Sequence, residues 1–319
     1  TRKLMSKVLL NSDFNFKNQE SKYIGKVRDV YEIKDDILIM IVSDRISAFD
    51  VVMPKGITFK GQVLNQIANE MLNETNDIIN NWLIDSPDPN VSIGKKCNPI
   101  KIEMVVRGYL SGHSYRFYNS GQRNLCGNIL PEKMNENDKF NSPIITPATK
   151  AEKGLHDEDI SPKSIIEQKI INKDDYEYLH EKSLELFKRG TDLASKNGLI
   201  LVDTKYEFGY DSNGVITLID EIHTPDSSRY FYKDSYEDLQ IKGEKQKQLS
   251  KEFFREWLMQ NGFQGKNNQM IPEMTDDVVE MVSRRYIELY EKLIGKKFSI
   301  NSSDNIVERI NKNLKGFIV

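Results

Sequence analysis

Cysteine is scarce in this chain, with only Cys97 and Cys126 among its 319 residues. Two cysteines cannot form a framework of several disulfides, and their separation rules out a Cys-x-x-Cys metal site. The scarcity therefore predicts a protein of a reducing compartment, the cytoplasm.

Long apolar runs and a one-sided charge are missing as well. No apolar run approaches the roughly 20 residues that cross a bilayer, and the opening TRKLMSKVLLNSDFNF lacks the features of a signal peptide. The net charge is −3, which leaves no broad basic field for nucleic acid. A hydrophobic fraction of 38% and a charged fraction of 29% are typical of a globular protein. We therefore expect small-molecule partners, with neither nucleic acid nor membrane among them.

The glycine-rich motifs of the common nucleotide-binding folds are also absent. The chain has no GxGxxG and no GxxxxGK[ST], so neither a Rossmann nor a Walker site is supported. Instead, YIGKVRDVY places Gly25, Lys26 and Arg28 at the bend of a predicted N-terminal hairpin. Glycine lets backbone N–H groups approach a phosphate, and the cations would neutralise it. The alternative is a surface hairpin with exposed cations.

The stretch at residues 199–231, LILVDTKYEFGYDSNGVITLIDEIHTPDSSRYF, predicts a β-hairpin with charges on an inner face. Asn213-Gly214 is typical of a two-residue loop, and counting outward from it places Glu207 opposite Asp220. Two carboxylates directly opposite each other repel. Either Lys205 or, preferably, a divalent metal with oxygen ligands would lie between them. The alternative is a solvated face with ordinary salt bridges.

Two further polar segments are candidates for ligand binding. In SDRISAFD, Arg45 could fork onto a carboxylate, while Asp44, Ser47 and Asp50 could accept from an amine. The same segment could equally be a polar turn that caps a helix. In RGYLSGHSY, Arg107 suits a phosphate or carboxylate, whereas a lone histidine such as His113 is more often structural.

Hydrophobic periodicity and turn residues predict the remaining elements. We expect strands at residues 23–33, 37–42 and 99–106, helices at 61–74, 173–196, 247–261 and 275–295, and a long loop with short strands at 120–153.

Taken together, these blocks resemble one family. GKVRDVY, SDRISAFD, VVRGYLSGH, TPATKAEKGLHDEDIS, LVDTKYEFG and DEIHTPDSSRY follow one another in the order found in the longer form of the SAICAR synthetases (phosphoribosylaminoimidazole-succinocarboxamide synthases). The resemblance implies an α+β fold with two domains, 1–108 and 109–319. The first would be an antiparallel ATP-binding sheet like a kinase small lobe, packed on a larger α/β domain with C-terminal helices.

The resemblance also implies a reaction in purine biosynthesis. The carboxylate of carboxyaminoimidazole ribonucleotide (CAIR) would be joined to the amine of L-aspartate, with ATP converted to ADP and phosphate and Mg²⁺ as cofactor. The implied roles fall into four groups by ligand: Gly25, Lys26, Val27 and Arg28 for ATP; Glu207 and Asp220 for Mg²⁺-ATP, with Lys205 also catalytic; Arg107, His113, Ser114 and Arg229 for CAIR; and Ser47, Asp50 and Asp157 for aspartate. One departure comes directly after the YLSG turn: some members have a serine there, whereas this chain has His113 followed by Ser114. Either side chain could contact the phosphate of the ribonucleotide.

Two other functions remain open at this point. One is a different ATP-dependent carboxylate–amine ligase, and the other is a non-catalytic nucleotide-binding module. The intact set of Lys26, Arg28, Lys205, Glu207 and Asp220 argues against the second.

Overall fold

The computed structural model describes residues 8–150, 158–299 and 305–317. The strands in this part of the chain are β1 (Gln19–Ile24), β2 (Arg28–Ile33), β3 (Ile37–Val42), β4 (Ser47–Ala48), β5 (Val51–Val52), β6 (Leu83–Asp88), β7 (Val91–Lys95), β8 (Asn98–Tyr109), β9 (Asn124–Leu125), β10 (Asn128–Ile129), β11 (Lys139–Thr149), β12 (Leu199–Tyr210), β13 (Ile216–Ile219) and β14 (Ser228–Tyr232). The helices are α1 (Lys60–Asn73), α2 (His113–Asn119), α3 (Pro162–Glu167), α4 (Lys173–Lys196), α5 (Lys233–Lys242), α6 (Glu252–Gln260), α7 (Asp276–Ile294) and α8 (Ile306–Asn313).

The chain forms two compact units that interleave along the sequence. The first unit comprises Thr1–Glu70, Trp82–Lys96 and Leu249–Val319, and the second comprises Met71–Asn81 and Cys97–Gln248. The predicted domains 1–108 and 109–319 differ from these units. The C-terminal helix α8 packs in the core of the first unit, and β8 pairs with strands of the second. These compact units do not test whether residues 1–108 and 109–319 fold as separate domains, so that boundary stays a prediction.

An antiparallel sheet of five strands forms the centre of the first unit, in the order β1-β2-β3-β7-β6. Its core includes Tyr31, Ile39 and Ile93, against which Ile310 of α8 packs. Arg309 on the same helix forks onto Asp88 at 2.9 and 3.0 Å, which anchors α8 to β6. The strand predicted for residues 23–33 is in fact two strands, because the chain turns at residues 25–27 between β1 and β2.

The second unit is built on another antiparallel sheet, ordered β11-β8-β12-β13, with β14 also paired to β12. Helix α4 covers it, and Phe187 approaches so closely that a Cβ on Gly108 would lie 3.2 Å from its ring. The predicted loop at residues 120–153 proves to contain the eleven-residue strand β11. Its two prolines, Pro143 and Pro147, argue against a strand in the sequence, because proline has no N–H to donate. They are tolerated here because β11 lies at an edge of the sheet.

The predicted helices 61–74, 173–196 and 275–295 agree with α1, α4 and α7 to within a residue at each end. The helix predicted from residue 247 begins only at Glu252. The α+β class with antiparallel sheets is confirmed. None of the helices in the described part of the chain combines the length and apolar character of a membrane span.

Candidate active site

The hairpin of β12 and β13 differs by one residue from its predicted register. Glu207 pairs with Ile219, and Asp220 follows the end of β13 with a φ of 61°. The loop has three residues rather than two, because the Asp211 carboxylate accepts from the N–H groups of Asn213 and Val215, both at 2.9 Å, and Gly214 adopts a φ of 76°. The prediction that Glu207 and Asp220 are direct cross-strand partners is therefore wrong.

The carboxylate directly across from Glu207 belongs to Glu103 on β8. Both side chains are buried, with Glu207 only 5% and Glu103 only 8% exposed. The ammonium group of Lys205 lies between them, 2.8 Å from Glu207 Oε1 and 2.9 Å from Glu103 Oε1. The expected like-charged pair with a cation between its members is thus present, with Glu103 in the place predicted for Asp220.

A second cation completes the cluster, since Lys150 at the end of β11 donates to Glu207 Oε2. Burial would raise the pKa of Glu207, but Lys205 and Lys150 hold it well below its usual value. Burial would lower the pKa of Lys205, yet Glu207 and Glu103 raise it well above its usual range. The groups therefore keep one another charged, although the side chains of Lys205 and Lys150 are 33% and 41% exposed. We call Glu103, Lys150, Lys205 and Glu207 the lysine–glutamate cluster.

Asp220 lies close enough to this cluster for its charge to raise the pKa of both Lys150 and Lys205. The carboxylates of Glu207 and Asp220 are hard oxygen ligands of the kind that Mg²⁺ prefers. Lys150 lies on Glu207 Oε2 in this structure, so a divalent cation bound at that oxygen would take the place of the ammonium group. Within the described ranges, no group of three or more Asp, Glu, His or Cys side chains is already arranged as a metal cage.

Three charged residues stand in a row across strands β8, β12 and β14. Asp203 pairs with Arg107 on one side and with Arg229 on the other. Its Oδ2 lies 3.6 Å from Nη1 of each arginine. Thr146 accepts from Arg107 Nε at 2.9 Å, and Ser111 accepts from Arg229 Nη1 at 2.6 Å. Two nearly buried guanidinium groups lie on either side of the Asp203 carboxylate, and guanidinium forks suit an anionic ligand. We call Arg107, Asp203 and Arg229 the arginine row.

The glycine of the YLSG turn is required by the arginine row. Gly112 has a φ of 56°, and a Cβ on it would lie 2.5 Å from both terminal nitrogens of Arg229. A larger residue would therefore displace the guanidinium as well as strain the backbone.

The two residues that follow this turn have different surroundings. Ser114 is fully buried, and its hydroxyl group donates to the Ser111 carbonyl at 2.9 Å and accepts from the Ser111 N–H at 3.2 Å. The His113 side chain is 46% exposed, with Nε2 lying 2.6 Å from Asp159 Oδ2. That hydrogen bond lowers the pKa of Asp159. Ser114 therefore supports the turn, whereas His113 is accessible to a ligand.

The predicted phosphate-binding residues form the turn between β1 and β2 in the first unit. Gly25 N donates to Arg28 O at 2.7 Å, which closes the turn over Lys26 and Val27. Lys26 bonds Asp50, and both side chains are more than half exposed. The structure thus pairs two residues that the resemblance assigns to different ligands.

Two of the predicted aspartate-pocket residues lie on the small β4–β5 hairpin. Asp50 and Phe49 form its turn, with φ values of 63° and 52°. Ser47 is buried, and Lys251 Nζ lies 3.5 Å from its hydroxyl group. The third member, Asp157, lies outside the described residues.

The sequence patterns did not single out Glu103, Lys150, Asp203, Ser111 or Asp159 as site residues. The period of two places Asp203 on one face of β12 with Lys205 and Glu207, but it does not show that Arg107 and Arg229 lie on either side of it. Glu103 could be found only with the register of β8 against β12.

Comparisons with known proteins agree with these observations. A family model described as SAICAR synthetase matches residues 21–271. The phosphoribosylaminoimidazole-succinocarboxamide synthase of Bacteroides thetaiotaomicron is 57% identical over 312 residues, covering 98% of this chain and 99% of its own. The synthase of the same name from Cytophaga hutchinsonii is 58% identical over 301 residues, covering 94% of this chain and 96% of its own.

Solved structures give the same result. The SAICAR synthase of Saccharomyces cerevisiae, solved with SAICAR, has a TM-score of 0.75 and 32% identity, covering 92% of this chain and 99% of its own. A SAICAR synthetase solved with ADP has a TM-score of 0.68 and 25% identity, covering 88% of this chain and all of its own.

Proposed function

The chain belongs to the SAICAR synthetase family, and from that premise we propose that it is the ligase that joins the carboxylate of CAIR to the amine of L-aspartate. ATP is the co-substrate, and SAICAR, ADP and phosphate are the products. The observation that carries the proposal is the presence of two distinct charged sites on one strand. Asp203 in the arginine row and Glu207 in the lysine–glutamate cluster are four residues apart on one face of β12, about 13 Å along the strand.

The arginine row suits the anionic part of the ribonucleotide. Arg107 and Arg229 are nearly buried, and each is already oriented by a hydroxyl group and by Asp203. A desolvated arginine fork binds phosphate or carboxylate more strongly than an exposed ion pair does. We assign both arginines to CAIR, with His113 as the accessible group of the adjoining turn and Ser114 as its support.

The lysine–glutamate cluster suits the phosphoryl transfer. A carboxylate is a poor electrophile. Its oxygen attacks the γ-phosphorus of ATP, the bond from that phosphorus to the ADP oxygen breaks, and the carboxyl oxygen then carries the phosphoryl group as an acyl phosphate. The aspartate amine then attacks the carboxyl carbon, phosphate departs, and the nitrogen loses a proton. Lys205 would stabilise negative charge on the transferred phosphoryl group, and the two buried glutamates would keep its ammonium group in place.

Glu207 and Asp220 would hold Mg²⁺, which when bound neutralises phosphate charge and orients the triphosphate. Gly25, Lys26, Val27 and Arg28 would bind the phosphates of ATP. Ser47, Asp50 and Asp157 would form the aspartate pocket. The scarcity of cysteine in the sequence supports the cytoplasm as the compartment.

An ADP-release assay with purified protein tests the proposal. ADP should accumulate over many turnovers only when ATP, CAIR, aspartate and Mg²⁺ are all present, and SAICAR should form in equal amount. Turnover with another carboxylate or another amine in place of CAIR or aspartate would favour a different ligase of the same class. ATP binding without any turnover would favour a non-catalytic nucleotide-binding module.

A further inference from the structure

A buried arginine lies beneath the turn that joins β1 to β2. Arg45 is only 7% exposed, and its Nη2 donates to Gly25 O at 3.0 Å and to Asp29 Oδ1 at 2.7 Å. Its Nε donates to Lys26 O at 3.2 Å, and its Nη1 donates to Leu10 O. One guanidinium group thus holds two successive carbonyl groups of the turn.

The next carbonyl group along the turn is held by Ser43. The backbone N–H of Ser43 donates to Val27 O at 2.9 Å, and its hydroxyl group donates to the same oxygen at 2.7 Å. Three consecutive carbonyl groups, from Gly25 to Val27, therefore face Ser43 and Arg45.

The direction of these carbonyl groups determines the direction of the amides. The peptide bonds are planar and trans, so the C=O and N–H of one peptide unit point in opposite directions. The N–H groups of Lys26 and Val27 consequently face away from Arg45, on the outer side of the turn. Adjacent backbone N–H groups donate charge-assisted hydrogen bonds to an anion such as phosphate.

We propose that Arg45 and Ser43 are positioning residues that hold the Gly25–Arg28 turn with its amides directed at the phosphates of ATP. The inference rests on the proposed function, because it takes ATP as the anion. Arg45 acts through the turn and not on the ligand, because its side chain is buried and its nitrogens are bonded to protein acceptors. Asp29, which is 1% exposed, balances its charge and is itself held by Ser12 at 2.6 and 2.9 Å.

Arginine is required here by geometry as well as by charge. Its planar fork presents five donors in fixed directions, whereas lysine has three donors on a single nitrogen. Lysine at position 45 would keep the charge opposite Asp29 but could not reach the Gly25, Lys26 and Leu10 carbonyls together.

The experiment compares Arg45→Lys and Ser43→Ala with Arg309→Lys as a matched control. Arg309 is also a nearly buried arginine of the first unit, and it forks onto Asp88. Melting temperature, calorimetric affinities for Mg²⁺-ATP and for CAIR, and KM and kcat for each substrate are measured on all variants and on the wild type.

Arg45→Lys should weaken Mg²⁺-ATP binding and raise its KM at least tenfold, while the affinity and KM for CAIR stay within twofold of wild type. Ser43→Ala should show the same selectivity with a smaller change, since the Ser43 N–H still holds Val27 O. Arg309→Lys should lower the melting temperature but leave ATP affinity unchanged.

Wild-type ATP affinity in either folded variant, or equal losses for ATP and CAIR, would overturn the positioning role. If Arg45→Lys fails to fold, the Ser43→Ala result alone decides. A wild-type protein that neither binds ATP nor releases ADP would instead refute the proposed function, so the two failures can be told apart.

Discussion

At the level of single residues, Glu207 combines a structural and a proposed chemical role. Both of its carboxylate oxygens accept from ammonium groups, Oε1 from Lys205 and Oε2 from Lys150. A metal at Glu207 Oε2 would have to replace Lys150, whose ammonium group occupies that oxygen here. Removing the Glu207 charge would leave Lys150 without this buried partner.

Glu207→Gln should reduce turnover by at least a hundredfold at saturating Mg²⁺, because one metal carboxylate and one partner of Lys205 are lost together. It should also lower the melting temperature, since breaking a buried ion pair on one side leaves an uncompensated charge. Steady-state assays and thermal unfolding measure the two effects. Glu132→Gln, which removes an exposed partner of Arg123, is the control and should change neither. Near-normal turnover of Glu207→Gln would contradict the assignment of Glu207 as a ligand of Mg²⁺.

Arg107→Ala and Arg229→Ala should each weaken CAIR binding while sparing ATP. A desolvated arginine fork to an anion contributes on the order of 2–5 kcal/mol, so the dissociation constant should rise by at least thirtyfold. Calorimetric titrations with CAIR and with Mg²⁺-ATP test this. Arg189→Ala is the control, because Arg189 forms an exposed pair with Asp77 in the same unit. Equal losses for both ligands would contradict the assignment of the arginine row.

At the level of elements, the turn of the β12–β13 hairpin determines which residues meet. Asp211 accepts two backbone hydrogen bonds across the loop, and the left-handed Gly214 completes it. A loop of three residues pairs Glu207 with Ile219, whereas a loop of two would pair it with Asp220. The position of Asp220 beyond the end of β13 therefore depends on a carboxylate in the turn.

Asp211→Ala should destabilise the protein by about 1 kcal/mol, the usual contribution of a turn carboxylate that bonds backbone N–H groups. Denaturant unfolding measures this loss. Asp192→Ala is the control, because Asp192 pairs with Lys188 on the exposed face of α4, and its loss should lower the free energy of unfolding by about a few tenths of a kcal/mol. Equal stability of the two variants would show that the loop does not depend on Asp211.

At the level of the whole molecule, stability should depend on pH through the lysine–glutamate cluster. Glu207 has a lowered pKa, so its contribution is fully present above its ordinary pKa of 4.5 and is lost as the pH falls below it. Lys205 has a raised pKa, so its contribution is fully present below its ordinary pKa of 10.5 and is lost as the pH rises above it.

The free energy of unfolding of the wild type minus that of the double variant Lys205→Met/Glu207→Gln should therefore be constant between pH ~5 and ~10. It should become smaller below and above that range. Unfolding measured across the pH range gives this difference. The exposed pair Lys188 and Asp192, removed in the same way, should give a difference close to zero throughout. A flat profile for the buried pair down to pH ~3 would show that Glu207 does not have a lowered pKa.

The sequence by itself determined those features that depend on neighbouring residues. Helix α4 has its predicted bounds because Asn172 caps its start and apolar residues recur with the helical period. Helix α7 is delimited by the Thr275 cap and by Gly295 with a φ of 71°. The motif blocks identified the family for the same reason, since each is a short contiguous run of residues.

Only the tertiary structure decided which distant residues meet. Glu103 lies opposite Glu207, and Asp203 lies between Arg107 and Arg229, because of hydrogen-bond register between strands up to about a hundred residues apart. A shift of one residue reverses which side chains share a face, and no local pattern specifies that shift across separate strands. Strand β11 escaped prediction because its prolines are compatible only with an edge position, which the rest of the sheet defines.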